Sequence, residues 1–473
     1  MTLWTSADAV AATQGETTRD WTATGVSIDT RTIQAGDLFV ALTDLRDGHD
    51  FVAMALEKGA AAALVSRRPD GLPDDAPLLI VPDVLAALEH LGIAARARSD
   101  ARVIAITGSV GKTSTKEMMR TVLELQGKTH ASVASYNNHW GVPLTLARMP
   151  ADTEFAIIEI GMSNPGEIAP LAKMARPHVA MITTVAAAHL EAFEDLSGIA
   201  REKAAIMDGL EQGGIAVLNA DIETAPVLRD YLGDVTPIWF GHASDCDWKI
   251  KDVRVTPDAT IIQAQNADDD YLFKLAVAGR HFAMNAVGVL AAVKSMGADP
   301  MRAALNIFEW LPPAGRGTRE VLVIDGGVDD GTINLIDDAF NANPTSMVAS
   351  LEVLCVAQPI DNIGRIGKGR RVAVLGDMLE LGSEAIADHR DLSDHPHMQN
   401  IDVVHCAGPL MKHLWDALPD QKRGMWFETA DALAANANRM IDAGDVVLVK
   451  GSKGSKVSLV VDAIRKLGHR HAL

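Results

Sequence analysis

The chain has 473 residues, room for roughly three domains of about 150 residues each, and enough length to bury several cores without disulfides or structural metals. Its 62 acidic residues outnumber its 43 basic ones, for a formal net charge of −19. That balance argues against a nucleic-acid or anionic-membrane partner, both of which select a basic face, although local charge can still hold an anionic small substrate.

The first ten residues, MTLWTSADAV, lack a basic segment followed by an apolar run, so no signal peptide is expected. The first stretch extends to about Asp100. It holds short β-rich runs at Leu38 to Leu42, Ala63 to Ser66 and Leu78 to Val81, then an Ala/Leu-rich helix from Val84 to Arg98. Ser99 to Arg102 reads as a joint. The second stretch opens with the apolar strand Val103 to Thr107, a glycine-containing turn, and a helical pattern over Lys112 to Gln126. Further apolar strands are expected at Phe155 to Ile160, Val179 to Val185 and Ile215 to Asn219. Continuous apolar strands alternating with helices imply a parallel sheet covered on both faces. The next joint is Leu311 to Gly315. The third stretch repeats the alternation, with strands at Ile333 to Asp337, Arg371 to Leu375, Asp402 to Cys406 and Asp445 to Lys450, and helices starting at Thr345, Ser383, Pro409 and Ala430. The basic, glycine-rich run over 364–371 reads as a flexible connection. The fold class is therefore α/β in three domains, over 1–100, 101–313 and 314–473.

Cys246, Cys355 and Cys406 are widely separated and form no CxxC pair, which points away from disulfides and cysteine-bound zinc and toward a reducing compartment. No run approaches the ~20 apolar residues of a membrane span. A soluble cytoplasmic monomer, without membrane insertion or nucleic-acid partner, is expected.

The strongest local signal is Thr107, Gly108, Ser109, Val110, Gly111, Lys112, Thr113 and Ser114, set between a strand and a helix. Glycines let backbone N–H groups turn toward a phosphate, and a helix N-terminus favours the anion. Lys112 would reach the outer phosphates and the Thr113 hydroxyl would face Mg²⁺. The longer form of this loop needs a glycine at position 106, where this chain has Ile106. Glu159 ends an apolar strand, on the side where ligands bind in open α/β sheets, and its carboxylate suits a hard cation. His189, also beyond a strand end, is either a structural histidine or a ligand. By pattern alone, Lys203 on its helix is a surface lysine.

Taken together, these features resemble the Mur ligases, ATP-dependent amide-forming enzymes of peptidoglycan precursor synthesis, whose loop has the short TGxxGKT form. The resemblance is carried further by Ser27-Ile28-Asp29-Thr30-Arg31, Asp47-Gly48-His49, Tyr136-Asn137-Asn138, the run from Asp337 to Met347 (DDAFNANPTSM), and Val374 to Gly382 (VLGDMLELG). These segments are similar to the branch of the family that adds D-alanyl-D-alanine to UDP-MurNAc-tripeptide. Phe340 departs from the usual tyrosine, and His139-Trp140 from the usual Asp-Ile-like pair.

The resemblance implies a UDP-sugar domain, a central ATPase and a C-terminal Rossmann-like domain that closes over ATP. It implies catalytic Lys112, Glu159, His189 and Lys203, with Lys203 carbamylated by CO₂, and two Mg²⁺ ions held by Thr113, Glu159, His189 and that carbamate. ATP would further engage His281, Asn285, Arg316 and Asp338. Substrate contacts would fall to Ser27, Asp29, Arg31, Asp47, His49, Asn137, Asn138, Asn341, Asn343, Lys450 and Ser452. Other expectations compatible with a phosphate loop are a different Mur-type or folylpolyglutamate-type amide ligase, or an ATPase that makes no bond.

Overall fold

The computed structural model describes residues 2–187, 190–324, 331–363, 365 and 367–470. Among the described residues, three large sheets are built from successive stretches of chain, beside a two-stranded antiparallel pair of Trp4–Thr5 with Thr22–Ala23. The first comprises β1 (Glu16–Thr17), β2 (Gly25–Ser27), β3 (Asp37–Val40), β4 (Ala62–Val65) and β5 (Leu78–Ile80), in the order β1-β5-β4-β3-β2. It is parallel except for the antiparallel edge at β1. β3 and β4 are buried along their whole length, as continuous apolar strands require. Helix α1 (Val84–Ala97) starts where the Asp83 carboxylate accepts the Ala86 N–H. Buried Arg96 on α1 donates to the carbonyls of Ala175 and Arg176, both at 2.9 Å, and Trp4 donates to Ala147 at 2.8 Å. These bonds tie the first unit to the second.

The central sheet comprises β6 (Arg102–Thr107), β7 (Thr129–Ala131), β8 (Phe155–Glu159), β9 (Val179–Ile182), β10 (Ile215–Asn219), β11 (Thr236–Gly241), β12 (Trp248–Val255), β13 (Thr260–Gln265) and β14 (Asp270–Leu275). Their order is β14-β13-β12-β11-β10-β9-β6-β8-β7. Alternate side chains of β6 feed two cores: Ile104 and Ile106 pack with helices α2 (Lys112–Leu123) and α4 (Arg280–Ser295), and Val103 and Ala105 pack on the face that carries α3 (Leu196–Ala204). The sheet is thus covered on both faces, as expected. It is not parallel throughout: β12, β13 and β14 pair antiparallel. Burial alternates residue by residue along β13 and β14, and along β12 on either side of an irregularity between Ile250 and Asp252, the period-2 signature of a half-exposed strand, so a search for continuous apolar runs passes over them. β9 also stops short of Val185, ending at Ile182, after which the Thr183 hydroxyl donates to the carbonyl of Val110 at 2.6 Å.

The third sheet comprises β15 (Thr318–Ile324), β16 (Thr332–Asp338), β17 (Arg371–Gly376), β18 (Val403–Ala407), β19 (Arg423–Phe427), β20 (Val446–Lys450) and β21 (Gly468–Arg470), ordered β19-β18-β17-β20-β16-β15-β21. It is parallel from β19 to β16 and antiparallel at β15 and β21. All four expected strands are present. The unexpected β19, β15 and β21 lie toward the margins, where weaker burial dilutes the apolar signal. Helix α5 (Pro344–Val356) begins at a capping box in which Asn343 and Ser346 satisfy each other's backbone N–H groups. Among the described residues, no helix is long and apolar enough to cross a membrane.

Candidate active site

β6 lies between β8 and β9: the chain leaves β6 for β7 on one side of it, and the crossover from β8 runs to β9 on the other. That divergence opens a crevice beyond the carboxyl ends of the strands. The loop that follows β6 fills this crevice. Gly108 has φ +152° and Gly111 φ +89°, backbone shapes that favour glycine. A Cβ on Gly108 would lie 2.0 Å from Thr183 Oγ1, and one on Gly111 would lie 3.0 Å from the Asn285 amide. The Ser109 hydroxyl donates to Ala186 O at 2.9 Å and its N–H to Thr184 O at 2.8 Å, so the loop is fastened to the segment after β9. Asn285 lies on α4, packed against the loop at Gly111.

Lys112 opens α2 and turns its Nζ back onto Gly108 O at 2.5 Å. Burial pushes its pKa below the usual lysine value; Glu159 opposes that fall and Arg316 adds to it. Thr113 and Ser114 are buried in the first helical turn. Glu159, only 1% exposed, accepts from Thr113 Oγ1 at 3.1 Å and from Asn137 Nδ2 at 2.7 Å through one oxygen, while its buried Oε2 has no hydrogen-bond partner. A buried, unpaired carboxylate oxygen beside a hydroxyl suits a hard cation that takes oxygen ligands.

Lys203 is not the surface lysine its helical pattern suggested: it is 2% exposed on α3. Burial, and then the nearby Lys112 cation, hold its pKa well below the ordinary lysine value. The physical cause is tertiary, since the second core closes around the end of α3. His189 lies outside the described residues.

A cavity of about 1060 Å³ unites the central and third units. Its wall includes residues 109–114, Asn137, Asn138, Glu159, His281, Asn285, Arg316, Asp338, Asn341, Asn343 and Lys450. Arg316 follows the 311–315 joint and donates to Ser135 Oγ at 3.0 Å, with its guanidinium 4.0 Å over the Phe340 ring. A phenyl ring serves that stacking without a hydroxyl. Asp338 and Lys450 are register partners at the ends of β16 and β20 and bond at 2.7 Å. Lys450 is 2% exposed and also donates to Asn341 O at 3.1 Å. It is therefore a paired strand-end cation, at the start of the basic run over 450–456. His281 keeps a buried, unpartnered Nδ1; burial pushes its pKa down to about 4, with Asp338 opposing and Lys450 reinforcing the fall.

Several expected substrate residues carry structural bonds. Asn343 caps α5, Asn138 Oδ1 accepts from Gly141 N at 2.9 Å, and buried Ser452 donates to Ala342 O and accepts from Leu379 N. Asp377 of the VLGDMLELG run accepts from Leu410 N and Met411 N, at the start of helix 411–417. The first-unit residues do not line this cavity. There Asp29 grips Arg31, which is 87% exposed in its side chain, at 2.6 Å. Buried His49 bridges Asp47 Oδ1 at 2.6 Å and Ser66 N at 2.9 Å, and the Ser27 hydroxyl donates to Asp29 O at 3.2 Å. Sequence reasoning missed Ser135 and Lys116. Their only signal was adjacency: Ser135 directly precedes Tyr136-Asn137-Asn138, and Lys116 follows Thr113 within one helical turn.

Three family models match the chain: the Mur ligase family catalytic domain over 22–96, the Mur ligase middle domain over 106–293, and the Mur ligase glutamate ligase domain over 327–453. The chain is 35% identical to UDP-N-acetylmuramoyl-tripeptide–D-alanyl-D-alanine ligase of Escherichia coli, covering 95% of each. It is 32% identical to the protein of the same name from Rickettsia prowazekii, over 92% of this chain and 94% of that relative. Among solved structures, MurF from Acinetobacter baumannii superposes with a TM-score of 0.81 at 26% identity, covering 98% of this chain and 99% of the other. The MurF ligase of Thermotoga maritima in complex with ADP superposes at 0.74 with 25% identity, covering 94% and 97%.

Proposed function

The chain belongs to the Mur ligase family, and from that premise we infer that it joins D-alanyl-D-alanine to UDP-N-acetylmuramoyl-tripeptide at the expense of ATP, in peptidoglycan precursor synthesis. The observation that carries this reading is the cavity in which the phosphate loop and Glu159 of the central unit face Arg316, Asp338 and Lys450 of the third. In this reading residues 1–100 bind the UDP-sugar, 101–313 bind ATP, and 314–473 bind the dipeptide and cover the nucleotide.

A carboxylate is a poor electrophile, so amide formation in water needs activation. The γ-phosphoryl group of ATP passes to the terminal carboxylate of the tripeptide, ADP leaves, and the acyl phosphate is attacked by the free amine of D-alanyl-D-alanine. The tetrahedral adduct expels phosphate and leaves the new amide in UDP-MurNAc-pentapeptide. Two anions meet in the first step. Lys112 and the loop N–H groups offset their repulsion, and Arg316 adds positive charge from the opposite wall. Asn285 and His281 hold the adenine end, and Asp338, kept in place by Lys450, meets the nucleotide from the third unit. The residues that would hold Mg²⁺ are Thr113 and Glu159, together with a carbamylated Lys203 and, by the family resemblance, His189; there the ion would neutralise phosphate charge. Lys203 fits that role because its depressed pKa favours the neutral amine, the form that adds CO₂. The apposed units exclude water from the acyl phosphate.

The test is ADP release by the purified chain supplied with UDP-MurNAc-tripeptide and different acceptors. D-Alanyl-D-alanine should stimulate turnover and yield the pentapeptide by mass. Stimulation by a single amino acid but not by the dipeptide would overturn the assignment, and ATP hydrolysis without any amide product would point to a non-ligase ATPase.

A further inference from the structure

Ser135 lies between two parts of the cavity that come from different units. Its Oγ accepts from Arg316 Nη2 at 3.0 Å and lies 3.2 Å from Thr113 Oγ1, which is itself 3.1 Å from Glu159 Oε1. The inventory of donors gives this chain one direction. A guanidinium only donates and a carboxylate only accepts. Ser135 therefore donates its one hydrogen bond to Thr113, and Thr113 donates its own to Glu159. The Thr113 hydroxyl rotor is then fixed, with one lone pair occupied by Ser135 and the other left for a cation.

The backbone around Ser135 is built for this aim. Ala134 adopts φ +56° without being glycine, a left-handed conformation that brings its Cβ close to the following carbonyl oxygen and is disfavoured for L-residues. Lys116, fully buried on α2, donates to Ser132 O at 2.7 Å and to Ala134 O at 2.6 Å and so clamps both sides of that turn. A strained residue held by a buried cation, directly before a side chain in the cavity, marks a position whose geometry matters.

We propose that Ser135 is a positioning residue that couples Arg316, at the entry to the third unit, to the Thr113 hydroxyl, so that the nucleotide site is complete only when the third unit is docked. This inference rests on the nucleotide-binding part of the ligase reading. The experiment is a double-mutant cycle on the full chain, read as MgADP affinity by calorimetry. Ser135→Ala should weaken MgADP about tenfold, the size expected for one charge-assisted hydrogen bond, and Arg316→Ala at least as much, since it also removes a cation facing the nucleotide. The double variant should be little worse than Arg316→Ala alone, because both break the same chain. Ser135→Thr should recover affinity to within about threefold of wild type, with thermal midpoints unchanged throughout. Wild-type affinity in Ser135→Ala, additive losses of about a hundredfold in the double variant, or failure of Ser135→Thr to improve on Ser135→Ala would each overturn the coupling while leaving the ligase reading intact. A wild-type chain that takes up no MgADP would overturn both.

Discussion

Replacing Lys112 with Met removes the loop's cation while keeping most of its bulk. At about 4 Å from a phosphate oxygen, a unit positive charge in a half-buried site of effective permittivity ~20 is worth about 4 kcal/mol. At 1.36 kcal/mol per decade this corresponds to about a thousandfold in kcat/KM for ATP. Stability should move little. Gly108 O loses its donor at 2.5 Å, at about 1 kcal/mol, but the fold also no longer has to hold a cation that burial disfavours. The assay is ADP release at saturating tripeptide and dipeptide, with the thermal midpoint measured in parallel. A Lys112→Met protein that keeps more than about a tenth of wild-type kcat/KM would refute the placement of ATP phosphates at this loop.

Three further outcomes are expected. Lys203→Ala should lose most activity and regain part of it with short carboxylic acids, while intact mass of the wild type under CO₂ should gain one carbamate; an unmodified, fully active wild type would count against that role. Gly108→Ala places a Cβ 2.0 Å from Thr183 Oγ1 at a φ of +152°, so nucleotide binding should fall at least about tenfold, by fluorescence or calorimetry. Because burial lowers the folded His281 to about 4 against 6.5 when unfolded, the unfolded chain binds the extra proton between those values. Stability therefore falls as pH drops through that window, and His281→Phe should flatten the urea-unfolding profile there by about 2–3 kcal/mol at pH 4, allowing for its partial exposure.

The sequence by itself determined the local devices. Gly108, Gly111, Lys112 and Thr113 were legible because a phosphate loop is set by consecutive residues, and Glu159 because an apolar strand announces its own end. The alternation of apolar strands and helices announced three α/β units, and the motif runs from Asp29 to Asp377 pointed to the family. Tertiary structure decided everything that depends on who packs against whom. Periodicity made Lys203 a surface residue, and only closure of a core around α3 buries it and lowers its pKa. The basic run at Lys450 became a buried pair once β16 and β20 took their register and brought Asp338 alongside. Asn343 and Asp377, conspicuous in their motifs, spend their side chains on helix starts. Strands β12 to β14 were missed because half-buried strands alternate rather than run apolar. Ser135 carried no pattern at all, since its partners Thr113 and Arg316 are remote in sequence and meet only when two units fold against each other.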